Sequence, residues 1–306
     1  RYSNGEFKNF DTTTVPKIPH DIIFDIARDR NRDLWVATVK GIIKIEAGKR
    51  FRVVQLGDRL KRELAGSDFN ILSCYYDTGT GILWGGASRG RLFRVKDGKP
   101  VRPGIILGDS KAHVSCLYKD AQGNLWIGTD GGGLLRWNGE DLLKVPLKTR
   151  MKDAYITSIS EDREGSLWVG TLDDGLFQLR DCKFTAITKK DGLKNDYIGC
   201  VYTGPGNTVW MGTKEGLYRL KNDRPELVYS KKNGLRDENI QAVYIDRSGA
   251  LWIGAAEGLH RVENGNVRVF NSPKHLSNNS ISAIVEDKNG HLWIGTAKGL
   301  KRFEKN

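Results

Sequence analysis

Seven tryptophans set the register of this chain. Trp35, Trp84, Trp126, Trp168, Trp210, Trp252 and Trp293 are separated by 49, 42, 42, 42, 42 and 41 residues, and each follows Leu or Val. Only Trp137 stands outside the series. A period of about 40–45 residues is the mark of propeller blades, small sheets that bury their faces only against their neighbours. Length alone would suggest about two domains for 306 residues, but that prior fails for repeat proteins.

Four strands can be read in each repeat. The innermost is exemplified by Ile156-Thr157-Ser158-Ile159-Ser160-Glu161-Asp162 and by Ile281-Ser282-Ala283-Ile284-Val285-Glu286-Asp287. It ends in Asp-x-x-Gly, a turn whose Asp bonds its own backbone and whose Gly takes positive φ. The second strand carries Leu-Trp-Ile-Gly-Thr. A short loop closed by Gly leads to the third, as in Gly216-Leu217-Tyr218-Arg219-Leu220, and Leu227-Val228-Tyr229 exemplifies the fourth.

The two ends predict how the fold closes. The last repeat stops after its third strand, at Gly299-Leu300-Lys301-Arg302-Phe303, and Gly5-Glu6-Phe7-Lys8-Asn9-Phe10 reads as an orphan fourth strand. Pairing them removes two exposed sheet edges. The expectation is an all-β, seven-bladed β-propeller closed by its N-terminal strand. Its blades fall at about 13–55, 56–105, 106–147, 148–189, 190–231, 232–272, and 273–306 with 1–12. The second repeat is seven residues longer than the period. In that excess, Asp58, Leu60, Leu64 and Gly66 have the spacing of a short capped helix.

Composition narrows the function classes less. The 49 basic residues exceed the 37 acidic ones, giving +12, which would attract an anionic partner. No basic run exceeds three residues, and aromatics are not interleaved with Arg and Lys as single-strand platforms need, so nucleic acid is disfavoured. Cys74, Cys116, Cys182 and Cys200 lack metal or disulfide spacing and read as free thiols. No run of 18 apolar residues occurs, so no membrane insertion by this segment is expected. Arg1 stands inside the pattern without an initiator Met, and the sequence reads as a piece of something longer.

The full repeat, Asp-x-x-Gly-x-Leu-Trp-Ile-Gly-Thr-x-x-Gly-Leu-x-Arg, resembles that of the two-component regulator propeller family. Residues 246–254 and 287–296 are near-ideal copies, and Asp191-Gly192-Leu193-Lys194-Asn195-Asp196-Tyr197-Ile198 is similar to the family's interblade link. Repeats one and two are weakest, with Ala37 for Gly and Gly85-Gly86-Ala87 for Ile-Gly-Thr, and Gly204 replaces the turn Asp of the fifth. The resemblance implies the periplasmic sensory part of a bacterial inner-membrane receptor with a histidine kinase or diguanylate cyclase output. It implies a small polar ligand or an oligosaccharide, further C-terminal signalling domains as partners, and no cofactor; a homodimer is allowed. Fold alone does not fix function.

Candidate ligand residues come from the repeat register. The position seven before the turn Asp opens each inner strand, and it holds Ile22, Asn70, His113, Tyr155, Tyr197, Asn239 and Ser280. Two Tyr, two Asn and a His suit sugars, with rings for C–H surfaces and amides for hydroxyls. The same side chains could instead satisfy loop backbone, and both readings stay open at this point. Just before the closing Gly, the loops between second and third strands offer Lys40, Arg89, Gly132, Asp174, Glu215, Glu257 and Lys298. Lys298, Lys40 and Arg89 fall in consecutive blades and predict a basic sector suited to an acidic ligand or a docking domain, although exposed charges are also the default. The repeated Trp and turn Asp read as structural, and the turn Asp are too dispersed for one metal.

The chain is expected not to be an enzyme. Its five His (20, 113, 260, 275 and 291) share no repeat position, and no nucleophile motif appears. Streptogramin lyases resemble this fold, so a lyase-type propeller is the weaker alternative, beside a protein- or nucleic-acid-binding scaffold.

Overall fold

The computed structural model describes residues 6–13, 18–46, 50–54, 70–107, 112–145, 153–180, 183–271, 276 and 278–304. Cys182, His275 and the expected helix at 58–66 lie outside them. The described strands form seven four-stranded antiparallel sheets, each meandering from inner to outer strand, and the fold is a seven-bladed β-propeller. In the last sheet Glu6–Phe10 pairs with Gly299–Glu304, with Phe10 opposite Leu300, so the N-terminal strand completes the C-terminal blade. Phe10 then stacks on Trp293 at 5.5 Å between centroids.

Two compact units divide the chain, one of residues 1–114 with 270–306 and one of 115–269. Both are built by the same local chemistry, which starts at the turn. In the second unit, Oδ1 of Asp162 accepts the N–H groups of Glu164 and Ser166, while Oδ2 accepts the indole N–H of Trp168 at 2.8 Å. Asp120 and Asp246 hold Trp126 and Trp252 in the same way, at 2.7 and 2.8 Å. In the first unit, Asp29 and Asp287 hold Trp35 and Trp293, at 3.2 and 2.8 Å. One carboxylate thus shapes the hairpin and orients the largest side chain of the blade.

The other face of the indole explains the Arg that ends the repeat. Strand register sets Trp84 opposite Arg94, Trp126 opposite Arg136, Trp252 opposite Arg261 and Trp293 opposite Arg302. Their guanidinium carbons lie 5.5–5.9 Å from the ring centroids.

Packing between neighbouring blades uses a glycine seat. A Cβ on Gly170 would lie 2.8 Å from Cγ2 of Ile198, the Ile that opens the next inner strand. Gly128 seats Ile156 and Gly212 seats Ile240, at 2.7 and 2.8 Å, and in the first unit Gly295 seats Ile23 at 2.8 Å. These four Ile are at most 1 % exposed, so each contributes roughly 1.5–3 kcal/mol of burial.

A β-bulge follows this Ile in the inner strands, with register shifts at Ile156/Ser158, Ile198/Cys200 and Ile281/Ala283 among others. The bulged residue turns toward the next blade. Oγ1 of Thr157 donates to the Ile198 carbonyl at 2.5 Å, and Oγ of Ser282 to that of Ile23 at 2.6 Å.

Blade five breaks the pattern. With Gly204 in place of Asp, the indole N–H of Trp210, a residue only 9 % exposed, has no partner. Arg219 pairs instead with Glu226 at 2.8 Å.

Asp246→Ala should cost about 3 kcal/mol, since it orphans a buried indole donor and opens a turn. Gly204→Asp should gain about 1 kcal/mol by supplying the missing acceptor. Gly204 has φ −93°, open to any residue, and its nearest obstacle is the mobile Cδ1 of Ile245. Urea denaturation of both variants against the parent measures the pair.

Candidate functional site

In the second unit the residues that open the inner strands do not cap their own loops. At Tyr197 and Asn239 that work falls to the position two residues earlier. Asn195 Oδ1 accepts the Tyr197 N–H at 2.7 Å, and Asp237 Oδ1 accepts the Asn239 N–H at 3.3 Å. The second oxygen of Asp237 takes the N–H of Glu257 at 3.1 Å. The acid after each cap is also engaged, with Asp196 accepting from Lys189 N–H and Glu238 from Lys231 N–H. Those two lysines begin the single-turn 3-10 helices Lys189–Asp191 and Lys231–Asn233, which Thr188 and Ser230 close with capping boxes.

The side chains of the openers are thereby left for other uses. Tyr155 is 49 % exposed, one of few large apolar residues so placed, and its ring lies over Gly131. Tyr197 is half-buried, with the Lys214 ammonium 4.3 Å above its ring, and burial pushes its hydroxyl pKa up. Oδ1 of Asn239 is buried without a partner among the described residues. The acidic loop residues differ in exposure: Glu257 is exposed, whereas Asp174 and Glu215 are half-buried and give their N–H groups to Thr171 and Thr213.

In the first unit the same capping recurs, with His20 Nδ1 and Asn278 Oδ1 accepting the Ile22 and Ser280 N–H groups at 3.1 and 2.8 Å, but one opener serves a loop itself. Nδ1 of His113 accepts the Arg89 N–H at 3.3 Å, so this ring serves a loop. Asn70 exchanges backbone bonds with Ser88, through its N–H to Oγ at 3.2 Å and its carbonyl from N–H at 2.9 Å. Lys40, Arg89 and Lys298 are all exposed at the loops between second and third strands, and Arg89 sits at φ 60°.

The four described histidines are each tied to local structure. His20 Nδ1 accepts the Ile22 N–H, and His291 Nδ1 meets the turn carboxylate of Asp287 at 3.1 Å. His260, fully buried, accepts the Arg236 N–H at Nε2 and faces the Ile253 carbonyl with Nδ1. It is thus the Nδ1–H tautomer, and burial holds its pKa below the usual value. Among the described residues no group of three or more His, Cys, Asp or Glu could hold a metal. Cys74, Cys116 and Cys200 are free thiols, and burial pushes that of Cys200 up to about 12.

Asp25 is a residue that sequence reasoning missed. Its repeat position is otherwise Ser73, Cys116, Ser158, Cys200, Ala242 and Ala283, all small. The carboxylate bridges blades within the first unit, accepting the Cys74 N–H at 3.0 Å and its neighbour's, Ile26, at 2.8 Å. Burial outweighs these bonds and raises its pKa to about 6. An Asp inside Ile23-Phe24-Asp25-Ile26 was the available signal.

This combination of turn carboxylate, clamped Trp and seated Ile defines a repeat-built propeller scaffold with variable inner-strand openers. Four of its repeats match the family model described as "two component regulator propeller", at residues 108–131, 151–173, 234–257 and 275–298. These are blades three, four, six and seven, and the other three carry the Ala37, Gly85-Gly86-Ala87 and Gly204 departures. Among solved structures, the chain is similar to the extracellular domain of the hybrid two component system BT3049 from B. thetaiotaomicron, at 21% identity and TM-score 0.83, over 99% of this chain and 41% of that one. The corresponding domain of BT4673 from the same organism gives 16% and 0.78, over 99% and 40%. A streptogramin B lyase gives 10% and 0.77, over 99% and 98%. The chain thus spans about two fifths of the two receptor domains. At these identities the likeness is one of fold. No curated protein matches the sequence.

Two titrations should oppose one another in the stability of this domain. Asp25, raised from 3.8 to about 6, binds its proton more tightly in the folded state, so its contribution is fully present below pH 3.8 and is lost as pH rises toward 6. His260, lowered from 6.5, contributes above that value and loses its contribution as pH falls. Asp25→Asn should remove the fall in stability between pH 4 and 6 and leave the His260 loss on acidification unopposed, as read from denaturation midpoints between pH 4 and 8.

Proposed function

We propose that this chain is a ligand-binding sensory propeller of a bacterial membrane signalling receptor, with no chemistry of its own. The carrying observation is the capping of the Tyr197 and Asn239 loops by Asn195 and Asp237, which leaves those two side chains, with exposed Tyr155, as two aromatic rings and an orphaned amide acceptor not spent on the scaffold. That set suits a hydroxyl-rich ligand, an oligosaccharide or another small polar molecule. The likeness to extracellular domains of hybrid two component systems supports the receptor context and a periplasmic location, with a histidine kinase or diguanylate cyclase as output. No described helix is long and apolar enough to cross a membrane, so an anchor and the signalling domains would be supplied by further parts of the receptor.

A lyase reading has one observation behind it, the streptogramin B lyase likeness at 10% identity. The local engagement of His20, His113, His260 and His291 speaks against it, because a general base must be open to substrate. Exposed Lys40, Arg89 and Lys298 would give a scaffold reading a basic docking surface in the first unit.

Thermal-shift measurements with neutral oligosaccharides, uronic acids and short nucleic acids at two salt concentrations separate these readings. A sensor of polar ligands gives a salt-tolerant shift with one sugar class, lost in Tyr155→Ala and Asn239→Ala. A shift with nucleic acid that collapses at high salt would replace it with the scaffold reading.

A further inference from the structure

The repeat supplies its own controls. In two described grooves, Trp35 with Lys44 and Trp126 with Arg136 line a cavity. In the second unit, between blades three and four, the cavity is about 410 Å³. In the first unit, between blades one and two, it is about 510 Å³. Both lie within the size range of ligand pockets, roughly 300–1,000 Å³.

Register makes the two comparable residue by residue. Trp35 faces Lys44, which faces Arg52; Trp126 faces Arg136, which faces Leu143. Across the groove Val95 matches Leu179, each opposite the Leu that precedes its blade's Trp. Tyr76 likewise matches Glu161. The groove of blades three and four is therefore walled by Leu143, Val145, Leu179 and Phe184, with Lys144 in place of Val53. That of blades one and two has Arg52 in place of Leu143 and is rimmed by Asn31, Asp97 and Lys99. The repeat architecture does not require Arg52, because its other copy has Leu143 at that position.

Their state is also informative. Lys44 is consumed by the fold, bonded to Asp29 and Asp33 at 3.2 Å each. Arg52, Lys99 and Asp97 are exposed and form no ion pair among the described residues. Tyr76 stacks on Trp35 at 6.1 Å and 18° yet makes no hydrogen bond through its hydroxyl among the described residues. Val53, 41 % exposed, adds an apolar edge. Donors and acceptors of both signs, arranged round one ring edge and one aliphatic edge, fit a neutral polyhydroxylated ring, whose vicinal hydroxyls each donate and accept.

We infer that the flank between blades one and two is a second ligand site, for a neutral hexose unit, separate from the inner-strand openers. Arg52 and Asp97 hold hydroxyls, Asn31 fixes orientation, and Tyr76 with Val53 covers the apolar face of the sugar.

Ligand-observed saturation-transfer NMR with D-glucose, D-galactose and D-mannose as probes tests this. At least one hexose should bind the parent chain, and Arg52→Leu, which copies blade three, should weaken it about tenfold through loss of a charge-assisted bond. Asn31→Ala should weaken it as well, both with the parent's melting temperature. Tyr155→Ala and Asn239→Ala should leave it unchanged. Absence of binding by all three hexoses overturns the site. Binding that survives Arg52→Leu combined with Asn31→Ala overturns it too. Binding lost only in Tyr155→Ala or Asn239→Ala overturns the flank site while upholding the sensor reading.

Discussion

One carboxylate per blade carries a disproportionate share of this fold. Its first oxygen gathers the N–H groups of the turn that joins inner and second strands, and its second fixes the edge of the indole. A Trp held at its edge by an anion and on its face by a cross-strand cation has little rotational freedom left. It becomes a rigid plate against which the next blade packs. Without that plate, a sheet of four short strands would be too small to hold itself together. Blade five tests the dependence from within: the Asp is gone, the indole donor is orphaned, and the Arg has turned to a glutamate.

Much of this was legible because the repeat is. Spacing of the seven Trp, the Asp-x-x-Gly turns and the orphan strand at Glu6–Phe10 predict a seven-bladed propeller with its last blade completed from the N-terminus, as observed. The bulge after each inner-strand Ile was not legible. It adds no residue type to the pattern and shows only as a shift in pairing. Asp25 was hidden for a related reason, since its partner, the Cys74 amide, belongs to another blade and sits 49 residues away.

The candidate site was legible in position more than in role. Register placed Tyr155, Tyr197, Asn239, His113 and Asn70 at equivalent points, but equivalence did not reveal which were already employed. That depended on the capping residues two places earlier. Where Asn195 and Asp237 cap, the openers are released; where His113 reaches the Arg89 amide, the opener is itself the cap. A polar side chain of suitable type is thus informative only once the hydrogen-bond demand of the surrounding backbone is known.

The glycine seat has a bearing on how such a chain can arise. Blades four and five hold both halves of the joint, an Ile that fills its neighbour's hollow and a Gly that provides the next one. Key and lock are copied together whenever the unit is copied, so a duplicated blade is born compatible with the blades on either side. Divergence can then proceed in the openers and flanks without renegotiating the joint.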